Sequence, residues 1–215
     1  MKFTKEDLID LKHTQILTQN AKMRKTSKEN NIRLYNFGIT AYKSHSTGKI
    51  TCPFADSCVK LCYANKGSYI WTNTKKAYEK RYLLSKDTKL FKSKMTEAIT
   101  RRKATHIRIH DSGDFYNFDY IKNWFEIMLE FPKVKFYAYT KSKKLFDLVS
   151  GKPSNFVLIY SLGSKFDNLV DVNKDRHSKI FYSMDEMYKQ GYIDASSNDL
   201  LAINTNNNKI GLLIH

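Results

Sequence analysis

Three cysteines, Cys52, Cys58 and Cys62, lie within eleven residues and are the only cysteines among the 215 residues of the chain. Their spacing, C-x5-C-x3-C, is typical of ligands to one inorganic centre, because thiolates are soft donors that suit zinc and iron–sulfur clusters. A structural zinc site needs four protein ligands, so either a histidine completes the set or the fourth position stays open for chemistry. The spacing predicts a loop that holds zinc or a [4Fe–4S] cluster.

His45 is the nearest candidate for a fourth ligand, and His106 and His110 are candidates that the fold could bring close. Two alternatives stay open: a disulfide with one free thiol, and three cysteines that bind nothing. The polar start of the chain, residues 1–7, does not resemble a signal peptide, which favours a reducing compartment and counts against a disulfide.

Two carboxylates three residues apart, Asp111 and Asp114, form a second constellation. One carboxylate can ionise, to attack a substrate or accept a proton, while the other stays protonated as an acid. We expect the neighbouring His110, Ser112 and Phe115 to contact the substrate, with Phe115 stacking on a base. The alternative is an ordinary turn between a strand and a helix, where Asp and Gly are favoured and Asp114 caps the helix.

The chain carries 37 Lys and Arg against 21 Asp and Glu, a formal net charge of +16, with 14 Tyr, 13 Phe and 2 Trp. Such a field attracts polyanions, and interleaved aromatic residues suit a groove that binds phosphates and stacks bases. We expect a nucleic-acid partner, with DNA favoured over RNA. The alternative is a surface whose lysines only keep the protein hydrated. No apolar run approaches the roughly 20 residues that cross a bilayer, so we expect no membrane partner and a cytoplasmic protein.

Arg108 and Lys141 are candidates for contact with phosphate or substrate, and Tyr63 and Tyr139 are candidates for base stacking. Tyr137 is a further stacking candidate. We expect the alternation of side chains along the strand to turn either Tyr137 or Tyr139 towards the helical shell.

Short apolar strands alternate with helices along most of the chain. The predicted strands are 32–42, 106–110, 134–139, 156–160, 179–182 and 200–203, and the predicted helices include 72–85, 89–102, 144–149 and 184–190, with Asp87 and Asn117 as helix caps. Strand starts about 22–28 residues apart, with helices between them, are typical of βα units and a parallel sheet. We therefore expect an α/β fold with one domain, residues 1–215. A basic, partly helical segment at 1–31 precedes a βα core at 32–215.

A complete TIM barrel takes about 250 residues, so this chain predicts a partial or compact TIM-like barrel. Functional sites of α/β proteins lie at the carboxyl ends of their parallel strands. The cysteine loop, the Asp111–Asp114 pair, Thr140–Lys141 and Ser161–Ser164 should therefore converge on one face.

Three motifs, in this order, resemble the phage gene product 88 family. The first motif is the cysteine cluster, with Cys52-Pro, Cys58 and Cys62-Tyr-Ala. The second is the segment 108–115, which contains Ser-Gly-Asp-Phe, and the third is the segment 137–142, which contains Tyr-Thr-Lys-Ser. The similarity covers roughly residues 35–190 and implies a phage protein with a barrel-like α/β fold, located in the infected host cell. Members of that family often carry further cysteines near the C-terminus, whereas residues 198–215 contain none.

The resemblance is compatible with two chemistries. Barrel enzymes similar to tRNA-guanine transglycosylases insert 7-deazaguanines into phage DNA, which takes a carboxylate nucleophile, a second acid/base carboxylate and an aromatic pocket. The zinc motif of those enzymes does not match this cysteine spacing. Radical S-adenosylmethionine enzymes hold a [4Fe–4S] cluster with three cysteines, usually spaced C-x3-C-x2-C, and bind S-adenosylmethionine at the open iron.

Our leading hypothesis is a DNA base-modifying transferase that uses Asp111 and Asp114, with a small-molecule base as its second substrate. A non-catalytic, zinc-stabilised protein that binds nucleic acid is the third alternative, in which both aspartates are only turn residues.

Overall fold

Seven strands form one parallel sheet in a computed structural model that describes residues 11, 14–60 and 62–214. The strands are β1 (Leu34–Phe37), β2 (His106–Ile109), β3 (Lys135–Thr140), β4 (Phe156–Ser161), β5 (His177–Phe181), β6 (Ile193–Asp194) and β7 (Lys209–Leu213). Their order is β1-β2-β3-β4-β5-β7-β6, and every neighbouring pair is parallel. The prediction of an α/β fold with a parallel sheet is confirmed.

Helices connect the strands. They are α1 (Ala21–Glu29), α2 (Thr72–Leu84), α3 (Thr88–Arg102), α4 (Phe118–Glu130), α5 (Lys143–Phe146), α6 (Met184–Lys189) and α7 (Asp199–Asn204). The side chains of Asp87 and Asn117 accept backbone N–H groups of α3 and α4, as their capping role predicts. Part of the basic N-terminal segment forms α1, while residues 1–10, 12 and 13 lie outside the described residues. None of the described helices is long and apolar enough to span a membrane.

The sheet buries both of its faces. One side of the sheet, which we call the outer face, carries Phe37, Ile107 and Phe136. On this face a large apolar core packs against α2, α3, α4 and α5. We call inner face the side that carries Leu34 and Tyr137, which packs with residues of α1 and α7. The inner face is less apolar, because Asn36, Arg108 and Tyr139 share it with the core residues. Polar side chains are therefore available inside the fold as well as at its edge.

The predicted strand at 200–203 is wrong, because these residues lie in α7. Asn198 caps that helix by accepting the backbone N–H of Leu200, and Asp199 supplies the acidic residue that favours a helix N-terminus. A four-residue apolar run does not distinguish a strand from a buried helical turn, and here the cap decides. The last strand of the sheet is β7 instead.

Both Tyr137 and Tyr139 lie on the inner face, so the expectation that one of them faces the helical shell is wrong. Residues two apart on a strand point to the same side. The first strand is also shorter than the predicted 32–42, since β1 ends at Phe37, before Gly38.

Candidate functional site

The carboxyl ends of β1, β2, β3 and β4 meet at one edge of the sheet, which we call the carboxyl edge. The backbone N–H of Ile39 donates to the carbonyl of Ser112 at 2.9 Å, and that of Asp114 donates to the carbonyl of Thr51 at 3.2 Å. The cysteine loop reaches the far side of the edge, where Ala55 pairs with Ser164. The predicted convergence of the four loops is confirmed.

Asp114 joins the loop after β2 to the end of β3. Its buried carboxylate accepts the Thr140 hydroxyl at 2.5 Å, the backbone N–H of Lys141 at 2.8 Å and its own neighbour's N–H, that of Phe115, at 2.7 Å. Burial raises the pKa of Asp114 above its usual value, although these donors oppose the rise. Asp114 does not cap α4, since Asn117 does so.

Asp111 lies on the other side of the same loop, against α2. Its Oδ2 accepts the hydroxyl of Tyr78 at 2.6 Å and that of Tyr69 at 3.3 Å. Its Oδ1 is buried and has no hydrogen-bond partner among the described residues. A Cβ on Gly38 would lie 1.9 Å from this Oδ1, so only glycine fits there. Arg81 donates to the carbonyl of Gly38 at 2.7 Å and lies over the Tyr78 ring.

A cavity of about 250 Å³ is lined by the two tyrosines that donate to Asp111 and by the adjacent Ser112, whereas Asp111 itself does not line it. Tyr69 and Tyr78 form part of its wall, with Ile70 next to them, and Ser112 and Asn65 add polar groups. Burial, followed by the charge of Asp111, raises the pKa of both tyrosines, so they stay protonated and act as donors. The cavity therefore combines flat aromatic walls with a carboxylate held behind two hydroxyls.

All three cysteines are free and partly buried. Burial above all, and then the charge of Asp114, raises the pKa of the Cys52 thiol to about 12. Burial also raises the pKa of Cys58, against the charge of Lys141. Cys62 lies close enough to both thiols for its charge to raise their pKa values. The three thiols and Lys141 thus share one region of the carboxyl edge.

The donor types in this loop suit zinc or an iron–sulfur cluster. Within the described residues, however, no three His, Cys, Asp or Glu side chains are arranged as a ready metal-binding group. The remaining predicted ligand, His45, is exposed, lines the cavity and donates its backbone N–H to Glu79 at 3.0 Å.

Lys141 and Arg108 already have partners. The Lys141 ammonium donates to the Ser161 hydroxyl and carbonyl and to the Leu162 carbonyl, at 2.8–3.1 Å, which fixes the loop after β4. Arg108 forms an ion pair with Asp199 at 3.1 Å on the inner face. The Arg108 Nε is buried and has no partner among the described residues. Arg108 therefore has a carboxylate counter-ion, whereas the hydrogen bonds of the Lys141 ammonium within the described residues go to uncharged oxygens.

Tyr63 and Tyr139 both lie near Arg108. The Arg108 guanidinium lies 5.2 Å from the centre of the Tyr139 ring, and the Tyr139 hydroxyl is buried without a partner in the described structure. The Tyr63 side chain is exposed and packs edge-on against Tyr69. Burial of its hydroxyl raises the pKa of Tyr63, and the nearby positive charge of Arg108 opposes that rise. Tyr63 thus links the cysteine loop to the cavity wall.

His110 and Phe115 lie in the outer core instead of the cavity. The His110 ring contacts the Phe115 ring at 4.6 Å and its Nε2 pairs with the Tyr120 hydroxyl at 2.9 Å. Burial lowers the pKa of His110 to about 3, so its ring is neutral. The backbone of His110 is left-handed, with φ of 65°, which turns it to the same side as Ile109. Phe115 is fully buried and offers no surface for a base.

Sequence reasoning missed four functional candidates, namely Tyr69, Tyr78, Glu79 and Arg81. Glu79 and Arg81 are buried in α2 beside the apolar Tyr82, so α2 has no simple apolar stripe that would have marked its inward side. Only the packing of α2 and of the preceding segment Gly67–Ile70 against the carboxyl edge identifies them.

Comparisons with known proteins place the chain in a family. The family model described as Gene product 88 matches residues 14–214. The Gene 88 protein of Mycobacterium phage L5 is 29% identical over 102 residues, which cover 42% of this chain and 43% of that protein. The match thus spans less than half the length of this curated relative. No solved structure matches the chain. The chain belongs to the gene product 88 family of phage proteins.

Proposed function

We propose that the chain is an enzyme that modifies nucleic acid, and that its leading reaction exchanges a guanine in DNA for a 7-deazaguanine. The observation that carries this proposal is the cavity beside Asp111. Its walls include Tyr69 and Tyr78, which suit a flat base, and the hydroxyls of these two tyrosines hold the buried Asp111 carboxylate at the carboxyl edge of a parallel sheet.

In this reaction the Asp111 carboxylate attacks the sugar C1′, and the bond to the departing guanine breaks as that base takes up a proton. The incoming base then loses a proton, attacks C1′ and releases the carboxylate. Asp114, whose pKa burial raises, is our candidate for the acid and base in these steps. Because Tyr69 and Tyr78 both hold Oδ2, one of them must move before the carboxylate meets the sugar.

Asp111→Asn is the direct test. We expect the variant to lose at least about 100-fold in the rate of incorporation of labelled guanine or 7-deazaguanine into DNA, because an amide is a poor nucleophile. Asp185→Asn, the same charge change on the exposed surface of α6, is the matched control and should keep the wild-type rate. Wild-type activity in Asp111→Asn, or a wild-type protein that exchanges neither base, would contradict the proposal.

The meeting of three thiols with Lys141 favours a second candidate, a radical S-adenosylmethionine-type enzyme. Cys52, Cys58 and Cys62 would hold a [4Fe–4S] cluster, which supplies one-electron chemistry when bound. This protein's own residues would contribute the partial burial of Cys52 and the positive charge of Lys141 near Cys58.

Metal analysis and the absorption spectrum of anaerobically purified protein test this candidate. Iron with a broad band near ~400 nm, absent in Cys58→Ala and retained in the neighbouring Ser57→Ala, would support the cluster. If the wild-type protein is colourless and contains about one zinc, and Cys58→Ala contains none, the cysteine loop is a structural zinc site. Base exchange is then the remaining proposal. A purified protein that contains neither iron nor zinc would contradict both the cluster and the zinc site.

A further inference from the structure

Large apolar side chains are exposed beside the cavity. Trp71 is 66% exposed, Tyr63 54% and Ile70 50%, although the other tryptophan of the chain, Trp124, is fully buried. Tyr63 lies in the short 3-10 helix Tyr63–Asn65, and Ile70 lies in the short 3-10 helix Gly67–Ile70. Trp71 immediately precedes α2. The two short helices pack against each other, and the second also packs against α2. The exposed side chains therefore form a local surface at the rim of the cavity.

The charge of this segment has one sign. Residues 57–78 contain Lys60, Lys66, Lys75 and Lys76, and no Asp or Glu. Lys60 and Lys66 are exposed. The next carboxylate along the chain, Glu79, is buried and points into hydrogen bonds with residues 40–46. Asp56, which is also exposed, precedes the segment, so the segment itself carries only positive charge. An exposed apolar surface in a basic segment suits a ligand that is both flat and anionic, which describes nucleic acid with unpaired bases.

The positions of Trp71 and Lys75 connect this surface to the cavity. The backbone N–H of Lys75 donates to the carbonyl of Trp71 at 2.9 Å, so the two residues lie one helical turn apart on the same side of α2. Lys75 and Ile70 both line the cavity. A strand that stacks one base on Trp71 therefore has a cation for its phosphate between that base and the cavity.

We propose that Trp71, together with Tyr63, Ile70 and the lysines of residues 57–78, is a binding surface for single-stranded nucleic acid. The inference extends the proposed function, since it names the form of the substrate that reaches the cavity. Bases inside a duplex already stack on one another and offer no free face to an exposed indole, whereas unpaired bases do. A base must also leave its duplex before it enters a pocket of this kind.

Tryptophan fluorescence reports binding at this surface directly, because Trp71 is exposed and Trp124 is fully buried. The probes are a single-stranded DNA of about 12 nucleotides, within the site size of such surfaces, its duplex form, and the same strand with abasic sites, which keeps the phosphates. We expect the single strand to quench the Trp71 emission and to bind roughly tenfold or more tightly than the abasic strand.

Trp71→Ala should abolish the preference for the normal strand over the abasic strand, as followed by anisotropy of a labelled strand, while Trp71→Phe should keep part of it. Lys66→Ala should lower the salt dependence of binding by about one phosphate contact. The matched controls are Tyr188→Ala, an exposed aromatic on α6, and Lys133→Ala, an exposed lysine before β3, and both should bind as wild type does.

Equal binding of the normal and abasic strands by the wild-type protein would overturn this inference, as would tighter binding of the duplex or an unchanged preference in Trp71→Ala. None of these readouts uses turnover. If the protein exchanges bases but binds strands without Trp71, this inference fails and the proposed function stands. If the protein binds single strands through Trp71 but exchanges no base, only the proposed function fails.

Discussion

Replacing Asp199 with asparagine is expected to lower the free energy of unfolding by about 3–5 kcal/mol, because it leaves a buried cation without its counter-ion. The Asp199 carboxylate is 4% exposed, and it accepts Lys22 at 2.6 Å, Tyr137 at 2.9 Å and Arg108 at 3.1 Å. Asparagine has nearly the same volume, so the loss is one of charge. Urea denaturation of the variant and wild type gives the difference.

The control for Asp199 is Asp185→Asn, an exposed first-turn aspartate of α6, for which we expect a loss below about 1 kcal/mol. Adding Arg108→Met to Asp199→Asn should restore much of the stability, since the uncompensated charge is then gone. A double variant no more stable than Asp199→Asn would show that the ion pair is not the cause.

The same ion pair predicts a pH dependence. Burial alone would raise the pKa of Asp199, but Arg108 and Lys22 outweigh it and hold the pKa below its usual range. A depressed folded-state pKa contributes stability that is complete above the unfolded value of about 3.9 and is lost as the pH falls through the folded value. Wild type should lose this contribution on acidification, and Asp199→Asn should have none to lose.

Glu79→Gln is expected to destabilise the protein by about 3 kcal/mol and to loosen the loop between β1 and the cysteines. The buried Glu79 carboxylate accepts five donors, three hydroxyls and two backbone N–H groups, from Thr40, Ser44, His45 and Ser46, at 2.5–3.2 Å. A glutamine would turn an NH₂ group towards some of these donors and leave them unpaired.

Hydrogen exchange at the His45 and Ser46 amides, together with urea denaturation, measures this effect. Glu97→Gln on α3, whose exposed carboxylate pairs with Lys94 on the same helix, should cost less than about 1 kcal/mol. Hydrogen bonds from Ser44, Ser46 and Thr40 outweigh burial and lower the pKa of Glu79. Its contribution should therefore persist above pH about 4.3 and fade below the folded-state pKa. Unchanged amide protection in Glu79→Gln would contradict this account.

Much of the fold follows from local patterns. Asp87 and Asn117 mark the starts of α3 and α4 because a short acceptor side chain satisfies a backbone N–H that the helix leaves free. The apolar runs of β2, β3 and β4 recur with helices between them, and that spacing predicts a parallel sheet. Prediction was wrong at 200–203, where four apolar residues suit a strand and a helical turn equally well.

The site was predicted less completely than the fold. The grouping of the cysteine loop, Asp111, Asp114 and Lys141 at one edge follows from strand direction alone. The direction of His110 did not follow, because its left-handed φ of 65° turns the ring into the core. Tyr69 and Tyr78 have no motif of their own, and they became candidates only because their hydroxyls reach Asp111.

The sequence by itself determined the family, the α/β class and the edge of the sheet at which the chemistry-bearing residues meet. These depend on residue types at fixed spacing and on the constant direction of βα units, which are properties of the local chain. Only the tertiary structure decided which partner each of those residues has: two tyrosine hydroxyls for Asp111, a strand-end loop for Asp114, a buried carboxylate for Arg108 and the apolar core for His110. Such partners come from segments far apart in the chain, and burial changes pKa values and availability in ways that spacing does not encode.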